Sequence, residues 1–214
     1  MSLMWKSLAQ PWQLAFEMAW QAYKNGTIPI GAVVVNEDDE IIYVGRNRIF
    51  DEAGSSALAG TNMAHAEMDA LIGLTAKEHP NIHRYKLYTT MEPCPMCFGA
   101  SVMMNIRNIH FAARDGFAGA TLLNDKLDYI KNKKLNIVHE SGDLEVFQLI
   151  LQTSYEFGRK HPRIDEIMNS WKAVNETAVN LGEELQRKQY FEKAAVGQKQ
   201  ISEIYNDLMT NYTF

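Results

Sequence analysis

The spacing of apolar residues alternates between two periods along the first 160 positions. Leu14, Ala15, Met18, Ala19 and Ala22 recur at helical spacing, and Asn25-Gly26 is a stop, so residues 11–24 read as an amphipathic helix. Residues 30–35 form a β-branched run and 36–40 are turn-like. With a second strand over 41–45, this predicts a hairpin. Residues 50–62, rich in Gly, Ala, Ser and Asp, read as a loop, and 63–76 as a helix. A strand over 86–90 then leads to a helix over 95–104 with a proline in its first turn. Further on, the pattern predicts a strand at 109–113, a helix at 125–133, a short strand at 135–139 and a helix at 144–158. Strands alternating with helices predict an α/β domain whose sheet is covered on its faces.

After His161-Pro162 the period-2 signal stops. Residues 163–214 carry long helical patterns, with Ile164, Ile167, Met168, Trp171 and Val174 on one apolar face. The predicted organisation is a domain over 1–160 and a helical extension over 161–214. The extension packs against the domain or a partner subunit; the sharper alternative makes it a lid.

Composition narrows the class. At 214 residues, with 46% hydrophobic and 22% charged positions, the chain suits one domain with an appendage or two small ones. No run of 18 apolar residues is present, which predicts no transmembrane helix. The start lacks the apolar centre of a signal peptide, and residues 1–3 ahead of a second Met4 read as foreign to the fold. Two cysteines and no disulfide framework fit a reducing cytoplasm. Net charge is −5, and 161–214 holds six basic against eight acidic residues, so no footprint for a polyanion stands out. The basic cluster Lys131, Lys133 and Lys134 reads as a solvated helix end.

Chemistry concentrates in two short segments. Ala64-His65-Ala66-Glu67 is followed, after residues 68–92, by Pro93-Cys94-Pro95-Met96-Cys97. Imidazole and thiolate both suit zinc, and a catalytic zinc keeps three protein ligands and one open position. His65, Cys94 and Cys97 supply three. Glu67 stands two residues from a ligand and is placed to move protons without binding metal. A C-x-x-C pair alone is equally a redox couple or half of a structural zinc site. A structural zinc needs a fourth ligand; no third cysteine exists, which leaves His79, His83, His110, His139 and His161 as the candidates. Both segments fall at predicted helix starts, where the partial positive charge favours thiolate.

The pattern H-x-E…P-C-x-x-C resembles that of zinc nucleobase deaminases. The resemblance extends to Ile28-Pro29-Ile30-Gly31-Ala32-Val33-Val34-Val35, to Gly45-Arg46-Asn47-Arg48, and to the stretch 87–100. The chain is similar to the cytidine-deaminase-like superfamily, nearest the branch of bacterial tRNA-specific adenosine deaminases and guanine deaminases. Residues 112–120, Ala-Ala-Arg-Asp-Gly-Phe-Ala-Gly-Ala, are reminiscent of the tRNA enzymes. The likeness covers about 10–158 and leaves the last 50-odd residues without a counterpart. It implies a three-layer α/β/α domain with a central mixed five-stranded sheet, one Zn2+ per subunit, and a homodimer. It also implies His65, Cys94 and Cys97 as ligands, Glu67 as proton shuttle, and substrate contacts from Asn47 and the backbone of Ala66. Asn47 reads equally as a turn residue after a strand. Free-cytidine deaminases carry Cys where this chain has His65, and the lead Thr61-Asn62-Met63-Ala64 departs from that of the purine deaminases.

The expected function is zinc-dependent hydrolytic deamination of a purine-like nucleobase or nucleoside with release of ammonia. The alternative is adenosine-to-inosine deamination in tRNA. A third reading, a zinc-stabilised module without catalysis, leaves Glu67 without a purpose.

Overall fold

The computed structural model describes residues 4–212; residues 1–3, read above as foreign to the fold, lie outside the described residues. Five strands form one sheet in the order β2-β1-β3-β4-β5. They are β1 (Gly31–Val35), β2 (Ile41–Arg46), β3 (Lys86–Met91), β4 (Asn108–Ala113) and β5 (Asn136–His139). β1 runs antiparallel to both β2 and β3, while β3–β4 and β4–β5 are parallel. The sheet is therefore mixed and five-stranded, as expected.

The predicted hairpin forms because its turn is self-sufficient. Asn36 Oδ1 accepts the backbone N–H groups of Asp38 and Glu40, both at 2.9 Å, and Asp39 takes φ +62°. β1 is buried along its whole length, and its alternate residues serve two cores. Val33 and Val35 face a layer of α1 (Gln10–Lys24) and α5 (Asp143–Gly158), with α6 (Ile164–Arg187), α7 (Tyr190–Val196) and α8 (Ile201–Asn211) built onto it. Ala32 and Val34 face α2 (Ala66–Leu71). On that same side α3 (Pro95–Met103) and α4 (Asp128–Lys131) bury Phe98, Val102 and Ile130. The result is three layers, α/β/α.

Two predicted helices are shorter than the pattern suggests. In place of 63–76, α2 spans only Ala66–Leu71. The chain then turns so that Leu74 reaches the core and the Tyr43 hydroxyl donates to the carbonyl of Gly73 at 3.2 Å. In place of 125–133 there is a 3-10 turn at Thr121–Asp125 and a single α-turn, separated by an extended Leu127. Within 125–133 only Ile130 is buried, while Leu127 and Tyr129 face solvent, so one anchor holds what periodicity reads as a face.

The C-terminal helices continue the core. Tyr205 lies edge-on to Phe147 of α5 at 4.9 Å and to Trp5 at 5.6 Å. α6 is kinked at Asn175 (φ −151°, ψ 96°), whose Oδ1 caps the resumed helix by accepting the N–H of Ala178 at 3.0 Å. No helix of the described residues is long and apolar enough to cross a membrane.

Candidate active site

The two motif segments meet at one end of the sheet. His65 is the N-cap of α2 with extended backbone. Charged contacts seat it: Arg46 binds Asp51 at 2.6 Å, Arg48 binds Asp69 of α2 at 2.8 Å, and the N–H of Arg48 donates to the carbonyl of Ala64 at 2.8 Å. Cys94 is the N-cap of α3, Pro95 occupies the next position, and Cys97 lies in the first turn. The ligand atoms of His65, Cys94 and Cys97 all lie within 4.8 Å of one another, with Cys94 Sγ 3.6 Å from His65 Nδ1. Among the described residues this is the one cluster of three or more His, Cys, Asp or Glu side chains spaced to hold a metal ion.

The donor set fits zinc: one imidazole, two thiols at helix N-termini, and no fourth protein group. The thiols are electrostatically unequal. Hydrogen bonding from Cys97, helped by His65, pulls the Cys94 thiol down to about 4 against the opposing effect of burial. The same contact with Cys94, reinforced by burial, pushes Cys97 up. A metal holding both would deprotonate both.

Glu67 is 4% exposed, in the first turn of α2. The Thr89 hydroxyl of β3 donates to its Oε1 at 3.2 Å. Burial pushes its carboxyl above the usual carboxylate range, reinforced by the neighbouring Cys94. It does not belong to the metal-spaced cluster. Asn47 is 1% exposed and does two things at once. Its Oδ1 accepts the Thr27 hydroxyl at 2.6 Å and the N–H of Ile49 at 3.1 Å, as a turn residue would. It also lines the cavity that contains His65, Glu67 and Cys94. Ala66 is fully buried with its methyl in the core under β1 and does not line that cavity.

The cavity measures about 190 Å³. That falls below the roughly 300–1,000 Å³ of sites for drug-sized ligands. Its far walls come from residues the motifs do not contain. Gln152 and Glu156 of α5 enter it, as do Arg159 and His161 from the turn after α5, and Ile167 and Trp171 from α6. Trp171 Nε1 donates to Asp115 Oδ1 at 2.9 Å, which ties α6 to the loop after β4. That loop fits closely: a Cβ on Gly116 would stand 2.6 Å from the carbonyl oxygen of Ser170. Glu92, next to the cysteine segment, pins the other end by accepting the N–H groups of Asp115 and Thr121 at 3.2 and 3.1 Å. The sequence signals for these walls are faint. One is a pair of polar residues four apart on an apolar helix; the other is a tryptophan on an apolar face.

Residues 6–113 match the family model described as "Cytidine and deoxycytidylate deaminase zinc-binding region". The chain is 38% identical over 107 residues to a tRNA(Ile)-lysidine synthase of Deinococcus radiodurans; the match covers 50% of this chain but only 17% of that protein. It is 32% identical over 162 residues to a tRNA-specific adenosine deaminase of Haemophilus influenzae, covering 72% of this chain and 86% of that one. A solved structure described as a complex with 2,6-diaminopurine shares the fold at TM-score 0.52 and 24% identity, over 69% of this chain and 82% of its own. The metal-spaced His-Cys-Cys cluster, the mixed five-stranded sheet and these matches agree, and the chain belongs to the cytidine and deoxycytidylate deaminase zinc-binding family.

Proposed function

We propose that the protein is a zinc-dependent hydrolytic deaminase of a free, purine-like nucleobase or nucleoside. The reaction replaces a ring-carbon amino group by oxygen from water and releases ammonia. His65, Cys94 and Cys97 hold the zinc, which when bound supplies Lewis acidity that makes a hydrolytic nucleophile available near neutral pH. Glu67 carries the protons. It takes one from the attacking water and delivers it to the departing nitrogen, and the Thr89 hydroxyl steadies it between the two tasks. A carboxyl raised by burial gives up and regains a proton more evenly near neutral pH than an exposed one does. Asn47, with its Oδ1 engaged by Thr27 and Ile49, keeps its –NH2 for the substrate, whereas Ala66, which does not line the cavity, is assigned no contact.

One observation carries the preference for a small substrate. The cavity is roofed by Ile167 and Trp171 of α6 and lined by the acids Glu67, Glu92, Asp115 and Glu156. Arg159, the cation of the lining, is bound to Glu156 through its Nε at 2.6 Å. Acid walls under a hydrophobic roof suit a neutral heterocycle better than a phosphate chain. The competing reading, adenosine in tRNA, is favoured by the relative of that name at 32% identity over 86% of its length.

Ammonia release from bases, nucleosides and an anticodon stem-loop separates the two. Free bases or nucleosides are expected to turn over, with weak stem-loop binding and a shallow salt dependence. Efficient turnover of the stem-loop with none of the small compounds sinks the preference. Cytoplasmic location and homodimeric assembly belong to the same reading, and light scattering tests the latter.

A further inference from the structure

Three glutamine and glutamate side chains of α5 sit at successive helical turns: Gln148, Gln152 and Glu156. All three are buried, at 0%, 4% and 4% exposure, and the last two line the cavity. Their orientations are chemically forced. One terminal atom of Gln148 lies 3.0 Å from the carbonyl oxygen of Pro29, which can only accept, so that atom is the amide nitrogen. The same nitrogen lies 3.0 Å from a terminal atom of Gln152, which must then be Oε1. With its oxygen turned to Gln148, Gln152 presents its –NH2 to the cavity. One turn on, Glu156 Oε2 accepts Arg159 Nε at 2.6 Å, and the carboxylate offers its remaining acceptor capacity to the same space. Residues four apart on a helix stand about 5–6 Å apart at Cβ, close enough to address adjacent atoms of one planar ring.

We propose that Gln152 and Glu156 are specificity-determining residues that read the substrate edge remote from the reacting amine. That edge is a hydrogen-bond acceptor beside a ring N–H, as in a lactam or a cyclic amidine. Gln152 donates to the ring carbonyl oxygen or bare ring nitrogen, and Glu156 accepts the adjacent N–H. Both lie outside the stretch matched by the family model, which ends at residue 113, and outside the two motif segments. The assignment rests on the proposal that this cavity takes a base. A free base satisfies it, whereas a substituent on that ring nitrogen meets Glu156 with nothing to donate. The acceptor capacity that Arg159 leaves free on the buried carboxylate then finds no donor, and the substituent crowds it, so discrimination falls mainly on Glu156.

The test is calorimetric binding to the zinc-loaded full chain, using guanine, adenine and cytosine against 9-methylguanine, 9-methyladenine and 1-methylcytosine. Ammonia release is measured in parallel. The wild-type chain is expected to bind at least one free base and its N-methyl partner at least about 10-fold more weakly. Gln152→Met, close in shape, is expected to weaken the free base about 10- to 100-fold with zinc content unchanged and cooperative melting retained. Glu156→Ala is expected to abolish the discrimination between the pair. The inference is overturned by equal binding of free and methylated bases, by unaltered affinity in a folded Gln152→Met chain, or by no binding of any of the three bases. Discrimination without ammonia release leaves the edge reading standing and removes the deaminase reading. Ammonia release that Gln152→Met and Glu156→Ala leave intact does the reverse.

Discussion

At the scale of single residues, the proposed roles separate holding metal from moving protons. Glu67 touches Thr89 and faces the cavity but stands outside the His65, Cys94, Cys97 cluster. Glu67→Ala is therefore expected to keep stoichiometric zinc and the fold while losing about 10²–10⁴-fold in turnover. Metal analysis alongside the rate checks this, and near wild-type turnover defeats the assigned role. Cys94→Ser is expected to lose the zinc itself. Asp115 offers a different reading of charge. Its Oδ1 alone accepts the indole N–H of Trp171 and the backbone N–H groups of Phe117 and Ala118. Burial, despite those bonds, holds its carboxyl above the ordinary 3.8. The native state then keeps a proton that the unfolded chain has released. Its contribution is fully present below about pH 3.8 and is lost as pH rises through the raised native value. An asparagine accepts the same three donors without that loss. Asp115→Asn is thus expected to gain in melting temperature over the wild type as pH is raised from 4 to 7. A gap that stays constant across that range contradicts the sign.

At the scale of elements, precision at the site is set by how closely β2 and α2 approach. A Cβ on Gly45 would stand 2.3 Å from the carbonyl oxygen of Ala66 and 2.4 Å from the N–H nitrogen of Ala70, both backbone. Gly45→Ala must push α2 off the sheet and carry His65 and Glu67 with it. The expected cost is about 1–3 kcal/mol of stability from overpacking. Activity should fall by more than that loss of stability accounts for, because a small misplacement of reacting groups is amplified in rate. A denaturant titration paired with kinetics decides, and a loss of stability with normal turnover speaks against the positioning role. The same contact shows where the sequence is readable and where it is not. The hairpin, α1, α3 and α5 are written in local patterns: a β-branched run with its own turn, a proline at a first turn, long apolar faces. The extent of α2 is decided by Tyr43 and Leu74 from outside the helix, so periodicity overshoots it. The metal site is legible for a related reason. Its three ligands and Glu67 come in two compact motifs, each on its own helix start, and residue type alone carries the chemistry. The opposite wall is not legible, since Gln152, Glu156 and Trp171 acquire their meaning only when α5 and α6 fold over the cavity.

At the scale of the whole molecule, the C-terminal helices belong to the structure that supports the cavity. Fourteen of their described residues, from Ile167 to Met209, are buried in the same hydrophobic cluster as α1, α5 and the sheet. Fully burying one large apolar side chain is worth about 1.5–3 kcal/mol, and a domain of this kind is stable by about 5–15 kcal/mol in total. Even a few of these contacts equal the whole margin, so a chain cut after His161 is expected to lose cooperative melting and to expose the surfaces of Phe16, Phe147 and Trp20. Circular dichroism melting and binding of a hydrophobic dye read both. A truncated chain that melts cooperatively and holds zinc would make the helices an appendage. The finer question, what the roof does to the substrate, needs a change that leaves the core intact. Trp171→Phe keeps an aromatic ring in the wall and removes the indole N–H that binds Asp115, leaving a smaller ring at a buried position. The lost hydrogen bond to a partly buried acid costs about 1.5–3 kcal/mol, and the vacated ring volume adds to it. If the link between α6 and the loop after β4 positions the substrate, KM for the small substrate should rise several-fold with zinc content unchanged. Unaltered KM and turnover in a folded Trp171→Phe chain would reduce that link to a structural tie.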